Sequence, residues 1–170
     1  MTGQSQHIYI TPRGARVGGT IYPCSIGKNG TTLRKFEGDG STPAGTHDII
    51  GLLYRPDRMK RPTDWALPIG PRDIWSDDIK DPNYNLMGTA PSLFRHEKLF
   101  RPDHLYDLII IINWNWPYTV KGRGSAIFIH RWRKNGFPTE GCIALSKENL
   151  LKVAKFINFG SQIIVPENLH

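Results

Sequence analysis

The chain has 170 residues, room for one domain with a proper core and too few for two of ordinary size. Hydrophobic residues make up 39%, with five Trp, six Tyr and seven Phe, which excludes wholesale disorder; 17 Gly and 13 Pro favour short strands and turns over a helical bundle. The net charge of +7 favours polyanionic partners such as nucleic acid, acidic lipid or a carboxylate-rich polymer without choosing among them.

From the N-terminus, Met1 to Val17 is polar and carries no apolar stretch of signal-peptide length. His7 to Thr11 reads as a strand and Pro12-Arg13-Gly14 as a turn. Gly18-Gly19 joins Ala15–Val17 to Thr20–Ile26 as a tight hairpin. Lys35 to Gly45, with Gly38, Gly40, Pro43 and Gly45, reads as an ordered loop, and Thr46 to Leu53 as a strand. Tyr54 to His104 is rich in Pro, Asp, Arg and Trp with weak periodicity, and a segment of that length is a functional insertion rather than a passive connection. The tripeptide Arg-Pro-Asp occurs at 55–57 and 101–103 with different flanks and reads as coincidence.

Tyr106 to Trp114 contains Leu108–Ile112, the longest aliphatic run. It is far short of the roughly 20 residues of a membrane span and reads as a central strand buried on both faces. Ser125 to His130 and Cys142 to Leu145 are further strands. Ser146 caps a helix with an apolar stripe at Leu150, Leu151, Ala154 and Ile157, which Gly160 closes. Gln162 to Val165 is a last strand. The class is mainly β with one helix and a long loop-rich insertion, as a single domain over residues 1–170.

Chemistry concentrates in Gly124 to Leu145. Arg131 to Gly141 connects two short strands, and an antiparallel pairing places His130 on the same face as Cys142. A free thiol is mostly protonated at neutral pH, and a neighbouring imidazole can accept its proton to give a nucleophile. The backbone N–H groups of Gly141 and Cys142 are candidates for holding an oxyanion. The reaction class implied is acyl transfer through Cys142, to an amine or to water. The rival reading of these two residues is a core thiol and a polar strand end.

At these residues the sequence resembles the L,D-transpeptidase catalytic domain, the YkuD-like family. The family's strand-end His and its Ser/Thr-x-Gly-Cys segment correspond to His130 and Thr139-Glu140-Gly141-Cys142, and its Thr-Pro-x-Gly element to Thr42-Pro43-Ala44-Gly45. The resemblance covers roughly Lys35 to Val165. It implies a sandwich-like β fold, Cys142 as acylated nucleophile, His130 as base, the backbone carbonyl of Arg131 holding the imidazole, and no metal or organic cofactor. It implies peptidoglycan stem peptides as substrate, cleaved after the third, diamino-acid residue. A cell-envelope or periplasmic location follows from the family, with the cytoplasm as the alternative because no signal peptide is visible. The chain departs from the family pattern at Arg131, Glu140 and Ala144, which leaves the acceptor open: an amine makes a transpeptidase, water a carboxypeptidase or endopeptidase.

Around that centre, Thr139 borders the substrate. Arg55, Arg58, Lys60 and Arg61 read as a solvated face or as a clamp on stem-peptide carboxylates, and Trp75, Tyr84 and Asn85 as a pocket wall. Cys24 reads as a structural thiol and Asp39 as a turn residue. His96 and His104 lack zinc-ligand spacing. A pI of about 9.6 permits a basic nucleic-acid surface, but no nucleic-acid-binding motif is present and no such partner is expected. A silent peptidoglycan-binding domain is the third reading.

Overall fold

The computed structural model describes residues 6–170; the reading of Met1–Ser5 as part of a polar N-terminus lies outside them. The strands in chain order are β1 (Ile8–Thr11), β2 (Gly14–Val17), β3 (Thr20–Tyr22), β4 (Cys24–Ser25), β5 (Thr31–Thr32), β6 (Thr42–Pro43), β7 (Gly45–Tyr54) and β8 (Leu67–Pro68). They continue as β9 (Asp73–Ser76), β10 (Met87–Thr89), β11 (His96–Lys98), β12 (Leu108–Ile112), β13 (Phe128–Arg131) and β14 (Ile143–Leu145). The helix α1 (Lys147–Phe156) follows, and β15 (Gln162–Val165) ends the series.

The main sheet runs β3-β2-β1-β15-β7-β12-β13-β14-β4, with β8 added beside β7. Its two end strands, β3 and β4, are separated in the chain by Pro23 alone. The sheet therefore curls until its edges approach, near to a barrel. The corner residue is one with no N–H to contribute to a ladder.

β12 is buried at all five positions. Leu108, Ile110 and Ile112 enter one apolar cluster with Ile129, Ile143, Leu145 and the inner face of α1, whereas Ile109 and Ile111 enter a second with Trp75, Leu99, Tyr106 and Phe128. Strand alternation thus feeds two cores from one run of aliphatic residues, as expected of a strand covered on both faces.

The second core is roofed by the 54–104 segment. There β10-β9-β11 form a separate three-stranded sheet. Strands of three or four residues are too short to show period-2 alternation, which is why the sequence there looked irregular. Phe128 meets Trp75 of this sheet edge-to-face at 5.1 Å and Tyr106 at 5.8 Å.

α1 starts as expected, with Ser146 Oγ accepting from Asn149 N–H at 3.2 Å. It ends earlier than expected: Ile157 is the C-cap in extended conformation, and Gly160 (φ 84°) belongs to the turn into β15, its N–H donating to Ile49 O at 2.9 Å. The strand at Ser125 also begins late, at Phe128, because Ala126 adopts a left-handed φ of 53° that no strand accommodates.

Phe128→Ala removes the ring that joins the main sheet to its roof. The expected loss of unfolding free energy is about 3–5 kcal/mol, read from urea unfolding followed by Trp fluorescence. A loss below about 1 kcal/mol would show that the roof does not depend on this contact.

Candidate active site

β13 and β14 pair in parallel, with Ile129 opposite Ile143 and His130 opposite Ala144. The antiparallel expectation is therefore corrected. The eleven-residue stretch from Arg131 to Gly141 is a crossover that returns to the start of the next strand, not a hairpin loop. Asn135-Gly136 does form a tight turn, closed by Phe137 N–H on Lys134 O at 3.1 Å, but within that crossover. In the parallel register Cys142 lies beside Phe128, so Cys142 and His130 still share a face.

Both line one cavity of about 430 Å³, walled by Glu97, Arg101 and Tyr106 from the insertion side and by Trp132 and Phe137 from the crossover. The crossover is pinned at its end. Thr139 N–H donates to Ile26 O (3.0 Å), Lys28 N–H donates to Thr139 O (2.8 Å), and Lys28 Nζ pairs with Glu140 at 2.8 Å.

Gly141 is demanded by space and by conformation. Its φ is +147°, and a Cβ there would stand 2.8 Å from Ser41 O. Thr42 Oγ1 donates to Gly141 O at 2.8 Å while accepting from Gly27 N–H at 2.9 Å, so the Thr-Pro-x-Gly element holds the Gly-Cys backbone directly. The Gly141 N–H is engaged by Thr139 Oγ1 at 3.1 Å, and Thr139 Oγ1 donates to Cys142 O at 2.5 Å. In this conformation Gly141 therefore serves close packing rather than offering a free oxyanion donor.

His130 Nδ1 lies 2.7 Å from Arg131 O, which fixes Nδ1 as the protonated nitrogen and leaves Nε2 as acceptor. Tyr106 stands edge-to-face against the imidazole at 5.4 Å. The Arg131 side chain lines a different cavity with Lys147 and Leu150, so Arg131 meets this site only through its carbonyl. Burial pushes the His130 imidazole down to about 4, opposed by the Arg131 carbonyl. Burial and then the Glu97 charge push the Cys142 thiol up to about 12. The resting pair is thus neutral thiol and neutral imidazole. The thiol donates to Ala126 O at 3.2 Å and accepts from Phe128 N–H at 3.4 Å.

The other expected site residues are not at the cavity. Arg55 is buried, not solvated: it holds Asp57 through two 2.8 Å bonds, donates to Arg101 O at 2.6 Å and stacks on Phe100 at 3.6 Å. Arg58 grips Asp107 (2.6 Å) and the carbonyls of Pro102 and Asp103. Trp75, Tyr84 and Asn85 lie behind the site. Asn85 Oδ1 accepts from Trp75 Nε1 and Ala126 N–H, both at 3.0 Å, and Asn85 Nδ2 donates to Trp114 O and Asn115 O. Tyr84 bonds Glu37, which also takes Ser125 Oγ.

The two Arg-Pro-Asp tripeptides prove to be one local structure built twice. Arg101 holds Asp103 through Nε and Nη2 (2.8 and 2.6 Å), as Arg55 holds Asp57, and each guanidinium lies over an aromatic ring. The repeat signals that local pairing and not a cavity position, since Arg101 lines the cavity and Arg55 does not. Cys24 is half-buried with its thiol pushed up to about 11 by burial. Among the described residues no three His, Cys, Asp or Glu side chains converge as a metal site, and no helix is long and apolar enough to cross a membrane.

The family model described as L,D-transpeptidase catalytic domain matches residues 3–165, so the likeness extends through the N-terminal strands as well as the region after Lys35. Solved structures similar to the chain include an L,D-transpeptidase from Mycobacterium smegmatis. It is 17% identical, with 92% of this chain and 55% of that chain covered and a TM-score of 0.42. Another is L,D-transpeptidase 3 from Mycobacterium tuberculosis in complex with a faropenem-derived adduct, at 15% identity, 94% and 58% coverage and a TM-score of 0.42. The chain spans a little over half the length of these two. No curated protein sequence matches it significantly.

Asn85→Ala leaves the Trp75 indole, the Ala126 N–H and two carbonyls without their partner. We expect about 2–4 kcal/mol of lost stability in thermal or urea unfolding.

Proposed function

The chain belongs to the L,D-transpeptidase catalytic domain family, and we propose that it is a cysteine acyltransferase acting on the stem peptides of peptidoglycan in the cell envelope. One catalytic domain spans the chain, with Cys142 as nucleophile and His130 as its base. The observation that carries this reading is the bond from His130 Nδ1 to Arg131 O, which leaves Nε2 as a proton acceptor in the cavity that also holds Cys142.

Because both groups are neutral at rest, the reaction runs by general-base catalysis and not from a preformed ion pair. The thiol turns from Ala126 O toward Nε2. Sγ attacks the carbonyl carbon of the third, diamino-acid residue as its proton passes to Nε2. The tetrahedral intermediate collapses, the peptide bond breaks, and the imidazolium protonates the departing amine. The resulting thioester is attacked by a second amine, whose proton returns through Nε2; the new amide forms and Sγ leaves to regain its proton. The backbone N–H of Cys142 is a candidate donor to the oxyanion. Thr139 and Glu140 form the rim on which the peptide lies.

Incubation with a disaccharide-tetrapeptide and mass analysis of the products tests the reading. A cross-linked dimer lacking one D-Ala is expected; tripeptide alone would mean that water is the acceptor. Cys142→Ala should lower turnover by at least about 10³-fold with the fold intact, whereas Cys24→Ala should leave it within about twofold; residual turnover in Cys142→Ala near the parent rate would overturn the assignment.

The pH profile reports the base. With the His130 imidazole pushed down to about 4, the base stays unprotonated as pH falls from 8 to 5. The expected kcat/KM has no imidazole limb between pH 6 and 7, and its acid limb lies below about pH 5. A midpoint near 6.5 would show an ordinary, solvated imidazole.

A further inference from the structure

Glu97 is a carboxylate on the wall of the cavity without a cation. Its Oε2 accepts from the Tyr106 hydroxyl, and among the described residues neither oxygen takes part in an ion pair. The cations in reach are committed elsewhere. Arg101, on the same wall, directs Nε and Nη2 at Asp103, and Lys35 is paired with Asp39 at 2.5 Å with both side chains buried. Arg133 stands exposed at the rim and makes no contact with Glu97 at ion-pair distance. A half-buried carboxylate left unpaired beside a reactive thiol is costly to the fold. Burial raises the Glu97 carboxyl above its ordinary value, against the nearby Arg101 charge, and its charged form opposes formation of a thiolate at Cys142.

Both costs disappear when a cation from outside occupies the cavity. We propose that Glu97 is the specificity-determining residue of this site, and that its carboxylate binds an ammonium group carried by the substrate residue seated beside Cys142. This deepens the reading above and rests on it, since a diamino-acid residue brings one amine more than its peptide backbone uses. The Tyr106 hydroxyl holds the carboxylate in place, and Oε1 is left for the ligand. Binding of the ammonium cancels the Glu97 charge next to Sγ. The site then discriminates against substrates whose amine is blocked, both by losing a charge-assisted hydrogen bond and by leaving the thiol suppressed.

Two measurements on the full chain separate this proposal from the reaction on which it rests. In the first, Cys142 is modified with methanethiosulfonate reagents bearing a trimethylammonium, a sulfonate or no charge, and the rates are followed by peptide mass mapping. The ammonium-to-sulfonate rate ratio, each normalised to the neutral reagent, should fall about tenfold or more in Glu97→Gln and be kept in Glu97→Asp. An unchanged ratio in a folded Glu97→Gln would overturn the proposal. In the second, the enzyme receives donor tetrapeptides with the side-chain amine of the third residue free or acetylated, each with the same excess of a separate unblocked acceptor amine, and release of the terminal D-Ala is followed. A kcat/KM preference of about tenfold or more for the free amine is expected, falling to within about twofold in Glu97→Gln. Equal turnover of the two peptides by wild type would overturn the assignment of Glu97. A charge-selective thiol with no turnover of either peptide would support the cation site and count against the acyl-transfer reading.

Discussion

The parallel register of β13 on β14 is the constraint from which the site follows. With Ile129 opposite Ile143, the residues on either side of that pair, Phe128 with Cys142 and His130 with Ala144, are thrown onto the opposite face from the aliphatic core. A parallel pair cannot be joined by a tight turn, so the chain between them must travel back along the sheet. That return path becomes the outer wall of the cavity, with Trp132, Phe137 and Thr139 facing the thiol and imidazole. A hairpin would have carried the same residues beyond the strand ends and left the face open. The nucleophile candidate, its base and half of the enclosure are therefore products of one pairing choice.

The pairing is stabilised from both sides. Ile129, Ile143 and Leu145 are buried against α1 and β12, and Phe128 is clamped between Trp75 and Tyr106. The Thr42 hydroxyl and the missing Cβ of Gly141 let the loop before β6 approach the Gly-Cys backbone within contact distance. The imidazole needs no carboxylate partner, because the carbonyl of its own neighbour, Arg131, supplies the hydrogen bond. A neutral partner keeps a second negative charge away from a face where Glu97 already disfavours the thiolate.

Much of this was legible in the residues. The Leu-Ile-Ile-Ile-Ile run announced a strand covered on both sides, Gly18-Gly19 a hairpin and Ser146 a helix cap, each through a local rule that tertiary structure had no cause to override. The direction of β14 was not legible. Alternation alone puts Cys142 and His130 on one face in either direction, and Asn135-Gly136 is a strong turn cue that does not say whether the turn joins paired strands. The 54–104 segment was opaque for another reason. Its strands are short, and its arginines are held by aspartates or by backbone carbonyls, so composition suggested a solvated cationic face where Arg55 and Arg58 form an internal scaffold.

That internal pairing changes what the net charge of +7 means for the site. Lys35, Arg55, Arg58 and Arg101, the cations nearest the roof and its supports, are all matched by aspartates at 2.5–2.8 Å. Such pairs orient a loop but project little field, because each dipole is compact and partly enclosed. The surplus positive charge is left on exposed side chains, where it can draw the molecule toward an anionic polymer from a distance. Close to the thiol the sign reverses, since Glu97 lies in no ion pair among the described residues. On the proposed reading, long-range attraction and short-range selection act on different parts of one ligand: carboxylates bring the polymer to the protein, and an ammonium decides which residue of it settles beside Cys142.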